Sequence, residues 1–409
     1  LAVQFSAHGR HPFNRLQFFN GGSWNVLIIF GLFILIYDEQ LMKVKGKVKF
    51  IDTEKSGFYA MLKKRVDIYF EDKQLSRYAN GQMVIKTIVL LAAYLLPYMF
   101  LLTVQPSLGW SLVIWGIMGI SLAGIGMSVM HDANHGAYSS KKSINTLVGF
   151  SLNLLGGSVF NWKLQHNILH HTYTNITGMD EDIDDRLVLK FSPHTPIKAY
   201  HRFQWMYAFL FYGLLTLYWA IAKDFIQFRQ FSQNGLNPHS EGENRIILAR
   251  IIAIKVFYFS LMFFLPLYAG IPLAEICCGF LLMHFFAGII LTTVFQLAHT
   301  LEHTSHPIPA AGVINNDWAI HQLNTTVNFA PGNKLVSWYV GGLNYQIEHH
   351  LFQKISHVHY PGISVIVKQT ALEYGVPYLE NKTVLSALRS HIAYLKAIGR
   401  MPDLNEALG

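Results

Sequence analysis

Histidines recur in this chain in tight groups. His131 and His135 stand four apart in "HDANH", and His166, His170 and His171 fall within six residues in "HNILHH". "HTLEH" holds His299 and His303, and "QIEHH" holds Gln346, His349 and His350. On a helix, residues i and i+4 project from one face about one turn apart, the spacing that lets two imidazoles grip one ion. The adjacent histidine of a doublet points about 100° away, so one helix can serve two neighbouring ions. All-imidazole sites suit zinc, copper, iron and nickel. A catalytic zinc takes three protein ligands, and even two zincs would leave histidines over. Eight or more imidazoles therefore favour two ions of high coordination number, such as iron.

Carboxylates should hold such imidazoles by their second ring nitrogen. Asp132, Glu302 and Glu348 lie inside the clusters, and Asp180 and Asp182 open the acidic run "MDEDIDD" shortly after the second. An acidic run is as often a solvated loop, and one isolated pair of histidines is ordinarily two polar surface residues. The signal is the coincidence of four clusters in an oily chain, where imidazoles without partners would be costly to bury. His321, His357 and His359 are expected in structural or hydrogen-bonding roles. His194, His201, His239, His284 and His391 are expected to be ordinary structural residues.

The elements that must bring these groups together are apolar. Of 409 residues, 52% are hydrophobic and 14% charged, and the mean hydropathy is +0.28. Soluble domains carry about 25% charged residues, so the balance indicates an integral membrane protein. The formal charge of +8 suits a face on an anionic cytoplasmic leaflet. Nucleic-acid modules are not this apolar, so no nucleic-acid partner is expected. Cys277 and Cys278, the two cysteines, cannot build a thiolate zinc site or an iron–sulfur cluster.

Stretches 84–104 and 109–130 are each long enough to span, as are 248–269 and 272–298. The connectors "QPSLG" and "GIP" carry no charge, while Lys141, Lys142, Lys163, Arg186, Lys190, Lys198, Arg202, Lys223, Arg229 and Arg245 lie in the other loops. By the positive-inside rule those loops are cytoplasmic. If the four clusters form one site they share a side, so 143–160 and 203–222 are expected to be interfacial or re-entrant helices. Residues 1–41 contain an apolar run too short to span comfortably and no small-residue cleavage site. They are expected to be an upstream extension, with the functional chain beginning near Met42. Residues 42–83 then form a cytoplasmic N-terminal segment, 84–380 the membrane domain, and 381–409 a C-terminal helical tail.

"HDANH", "HNILHH" and "QIEHH" resemble the three histidine boxes of the membrane fatty acid desaturase family, and Gln346 in place of a first histidine resembles its front-end, linoleoyl-CoA desaturase-like branch. "QLNTTVNFA", "GGLNYQIEHHLF" and "HVHYPGI" agree, and the resemblance runs over roughly residues 42–380. It implies di-iron ligands at His131, His135, His166, His170, His171, His349 and His350, with His299 as a further ligand. Gln346 binds through water or hydrogen-bonds a ligand, and His303 is either an added ligand or a surface residue. The expected fold is an all-α integral membrane protein of four transmembrane helices in two hairpins, whose cytoplasmic helical cap holds the di-iron site.

The activity implied is insertion of a cis double bond into a fatty acyl-CoA or acyl-lipid, using dioxygen and two external electrons. No His-Pro-Gly-Gly of a fused cytochrome b5-like domain and no GxGxxG occurs in these residues. A separate ferredoxin or cytochrome b5-like donor is therefore expected on the cap. The same boxes serve di-iron lipid hydroxylases. A histidine-rich metal transporter would instead place polar groups along a midplane path, which the first two spans lack.

Overall fold

Inside a bilayer, backbone amides must be satisfied within their own segment, so long apolar runs become helices. The computed structural model describes residues 48–52, 55–183 and 188–401. The expected extension 1–41 lies outside the described residues, as do Asp184, Asp185 and Arg186. Eight helices lead to the middle of the chain: α1 (Phe58–Asp72), α2 (Gly81–Val104), α3 (Leu108–His135), α4 (Lys142–Leu155), α5 (Val159–Tyr173), α6 (Ala199–Gln233), α7 (Glu241–Tyr268) and α8 (Leu273–His299).

Among the described residues five of these, α2, α3, α6, α7 and α8, are long and apolar enough to cross a membrane. α4 and α5 would make a sixth if the pair, bent by 106°, counted as one. By length and composition the expected four is therefore one short, and the addition is α6. The stretch 203–222 is expected from the sequence to be an interfacial or re-entrant helix. It belongs to one continuous helix because a π-type stretch at Trp219–Lys223 carries the backbone onward without a break.

The helix ends are ordered around two hairpins. The α2–α3 turn and the α7–α8 turn meet, since the Gln105 side-chain amide donates to the Ala269 carbonyl. His131 and His135 of α3 and His299 of α8 lie at the other ends of those helices. α6 has both ends on the histidine side: Gln204 donates to the Leu395 carbonyl at 3.0 Å and Gln227 to Gln165 at 2.6 Å. Small residues let the helices approach closely. A Cβ at Gly288 of α8 would meet the Gly213 carbonyl of α6 at 2.6 Å, and one at Gly119 of α3 would strike the Met283 carbonyl of α8.

The remaining chain folds over the histidine side as α9 (Trp318–Thr325), α10 (Lys334–Tyr339), α11 (Gln346–Leu351), α12 (Tyr360–Glu373) and α13 (Val384–Ile398). α1 presents Phe58, Leu62, Val66 and Phe70 at i, i+4 spacing, and this stripe packs in one cluster with Ile363, Val367 and Ala371 of α12. Each such buried side chain contributes about 1.5–3 kcal/mol of transfer free energy. Two short parallel ladders tie distant loops: β1 (Lys49–Phe50) to β2 (Val313–Ile314), and β3 (Asn328–Phe329) to β4 (Glu380–Asn381). The fold is thus mostly rather than wholly helical. Within the expected tail α13 is docked: its buried His391 bonds Tyr212 of α6 at 2.8 Å and the Thr300 carbonyl, next to His299, at 2.8 Å.

Candidate metal centre

Four separate elements each deliver histidines to one place. α3 ends on His131 and His135, α8 ends on His299, α5 carries His166, His170 and His171, and the six-residue α11 carries His349 and His350. All eight are buried. α5 is not the plain α-helix its spacing suggests. Lys163–His170 winds in wider π-type turns, a form common at functional sites, and the His166 and His170 rings stack 5.1 Å apart. α11 owes its start to β3: the Asn328 side-chain oxygen Oδ1 accepts the Ile347 amide at 3.0 Å.

The rings sort into two sets. His131, His135, His166 and His349 place ligand atoms within 4.8 Å of one another, and so do His170, His299 and His350. His171 lies between the sets, its ring 4.6 Å from His349 and 4.5 Å from His350. Gln346 sits beside the second set, its amide nitrogen 2.9 Å from His299 Nε2 and 3.3 Å from His350 Nε2.

Five of the eight rings, those of His166, His170, His299, His349 and His350, are held at Nδ1 from outside. Asp182 holds His166 Nδ1 at 3.0 Å, and Asp180 holds His170 Nδ1 at 2.9 Å. Gln322 holds His350 at 2.7 Å, Tyr360 holds His349 at 3.2 Å, and the Thr325 carbonyl holds His299 at 3.3 Å. His170 Nε2, His349 Nε2, both nitrogens of His135 and of His171, and Gln346 Oε1 are buried without a hydrogen-bond partner. Such orphaned lone pairs are costly, and a pair of metal ions is what would satisfy them. The donor set therefore fits two imidazole-bound ions such as iron.

Electrostatics agree. Burial, then the neighbouring imidazoles, push His349 and His350 well below the usual histidine range, keeping them neutral as ligation requires. Burial raises Asp182, but the hydrogen bond and charge of His166 outweigh it and hold the carboxyl well below the usual range. Burial pushes Glu348 up to about 7 against the pull of Asn328 and Tyr378.

Not every sequence expectation joins the centre. Glu302 and His303 are exposed and stand outside both sets. α8 stops at His299 and Thr300 leaves the helix, with φ −119° and ψ 71°, so the i, i+4 relation that favoured His303 never forms. Asp132 binds no box histidine through its carboxylate. It pairs with His357 at 2.9 Å and accepts from Ser356 at 2.7 Å. Glu348 points away to Asn328 at 2.7 Å and Tyr378 at 2.9 Å. His321 bonds the Thr174 carbonyl and His359 the Tyr78 carbonyl. The outer partners Gln322, Tyr360 and Thr325 escaped residue-by-residue reading, although "QLNTTVNFA" and "HVHYPGI" contain all three.

Comparison with known proteins gives this arrangement a family. The fatty acid desaturase profile matches residues 106–382. The sn-1 linoleoyl-lipid 6-desaturase of Synechocystis is 35% identical over 88% of this chain and 99% of its own. The enzyme of the same name from Arthrospira platensis is 34% identical over 85% and 94%. The acyl-lipid (8-3)-desaturase of Physcomitrium patens is 33% identical over 87% and 74%. The profile takes in the first three histidine clusters and QIEHH alike, and the chain belongs to the fatty acid desaturase family.

Proposed function

We propose that this chain is a front-end acyl-lipid desaturase, forming a cis double bond in the acyl chain of a membrane lipid at a di-iron centre. One observation carries the reading: eight buried imidazoles from four elements converge, five of them held at Nδ1 from outside, with ring nitrogens of His135, His170, His171 and His349 buried and unpartnered. His131, His135, His166 and His349 would hold one iron, and His170, His299 and His350 the other. His171 is within reach of both, and Gln346 lies beside the second. When bound, the irons supply the oxidising power by which dioxygen, two electrons and two protons become two waters as adjacent methylenes lose two hydrogens.

The protein's own part is orientation and exclusion of water. Asp180, Asp182, Gln322 and Tyr360 fix the ring planes. Trp162 lies 4.6 Å from the His166 ring and Phe295 lies 5.0 Å from His170, walling the centre with apolar surface. α2, α3, α7 and α8 are the crossing helices of this reading, in two hairpins. α6 and the bent α4–α5 pair return to the side they started from. That side bears the basic loops, which makes it cytoplasmic, and a separate ferredoxin or cytochrome b5-like protein delivers electrons there. The acyl-lipid carrier is favoured over acyl-CoA because the relatives above are named for lipid-linked substrates.

Expression in a host supplied with defined fatty acids tests the reading. Lipids should lose two hydrogens at one position near the carboxyl end, and purified protein should hold two irons per chain without a haem band. Gain of one oxygen instead would make the enzyme a hydroxylase. No change in the lipids despite bound iron and a working donor would refute the proposal.

A further inference from the structure

A buried ion pair stands away from the metal centre. Lys255 of α7 is 5% exposed and Asp224 of α6 is 0% exposed, and they meet at 2.7 Å. Charges buried in apolar helices are expensive and persist where they do something. Both members of the pair reach the bend between α4 and α5, and both also bond Trp219 of α6. Lys255 Nζ donates to the Gly156 carbonyl at 2.5 Å, just past the end of α4, and to the Trp219 carbonyl at 2.8 Å. Asp224 Oδ2 accepts the Ser158 amide at 3.0 Å, at the start of α5. Asn161, one turn into α5, donates to the Asp224 backbone carbonyl at 2.7 Å. The two charges thus hold opposite sides of the break at which the chain turns by 106°.

The bend is also wedged. Gly156 has φ +74°, and a Cβ there would stand 2.9 Å from the Tyr258 ring of α7. One turn beyond Asp224, Gln227 donates to Gln165 and to Glu181, both at 2.6 Å. Gln165 in turn donates to Asp182, which holds His166. One face of α6 therefore sets both the entry angle of α5 and the carboxylate behind its first histidine.

We propose that Lys255 and Asp224 are positioning residues: the pair fixes the α4–α5 bend and so aims His166, His170 and His171 at the metal centre. This rests on the di-iron reading above. The test is iron content and steady-state kinetics of purified protein. In the variant K255M/D224N no lone charge is left behind. Iron should fall below two per folded chain and kcat by about 10-fold, the scale of outer-partner losses at metal sites, with KM little changed. The reversed pair K255D/D224K should not recover, because an aspartate cannot donate to Gly156 and a lysine cannot accept from Ser158. Should K255M/D224N fail to fold, Ser158→Pro removes the amide that Asp224 accepts, along with the serine hydroxyl; Ser158 has φ −88°, near what proline permits. It should shift iron and kcat the same way. Full iron and unchanged kcat in K255M/D224N or S158P, or recovery in the reversed pair, would overturn the proposal. A wild-type chain that binds no iron and makes no double bonds would instead sink the desaturase reading.

Discussion

At the scale of single residues, the division between inner and outer ring nitrogens decides what each substitution should do. Asp180 takes no place among the inward donors, yet it holds His170 Nδ1 through both oxygens, at 2.9 and 3.0 Å. Asp180→Asn keeps the shape but presents an amide where one oxygen accepted, freeing the ring to turn. Iron affinity or kcat should fall about 10- to 100-fold, measured by competition with a chelator and by product formation. His303→Ala should leave both within about twofold, since an exposed side chain outside both ring sets has little to lose. His299 and His303, the two histidines of HTLEH, look alike in sequence and part company where α8 ends.

Elements carry the information that spacing does not. The box histidines were legible because ligation by one helix needs neighbours at fixed local separations, and those show in a single line of residues. Apart from Asp180 and Asp182, their outer partners come from other elements: Gln322 reaches His350 across 28 positions, and the Thr325 carbonyl reaches His299 across 26. No local period announces such pairs, so Asp132, Glu302 and Glu348 were assigned to the histidines merely for standing next to them. The continuous α6 was hidden for a related reason, since a π-type stretch preserves a helix whose apolar rhythm changes midway. β3 shows how an element places a ligand. Its Asn328 caps α11 through the Ile347 amide and also donates to Glu348 at 2.7 Å. Asn328→Ala leaves these buried groups unpaired at about 1–3 kcal/mol each. The melting temperature in detergent should drop and iron should be lost together with it. A fall in melting temperature with full iron would mean that α11 holds its position without this cap.

For the whole molecule the open quantity is how many helices cross, and length alone answers it badly. α6 runs Ala199–Gln233, more than enough to span. Yet Gln204 near one end bonds the Leu395 carbonyl of α13, and Gln227 near the other bonds Gln165 beside His166. A helix whose two ends both touch the histidine side has not delivered the chain to the opposite face. If α6 did cross, His239 and Lys198 would lie on opposite sides of the membrane, and the α7–α8 hairpin would be inverted relative to α2–α3. The contact of Gln105 with Ala269, which joins the two hairpin turns, would then be impossible. Single cysteines at Lys198, His239 and Ser107, all exposed, in a chain with Cys277 and Cys278 replaced by alanine, make this measurable with a membrane-impermeant thiol reagent. Positions 198 and 239 should label only from the side that bears the basic loops, and 107 only from the other. Labelling of 198 and 239 from opposite sides would give α6 a full crossing, and the cap over the metal centre would have to be redrawn.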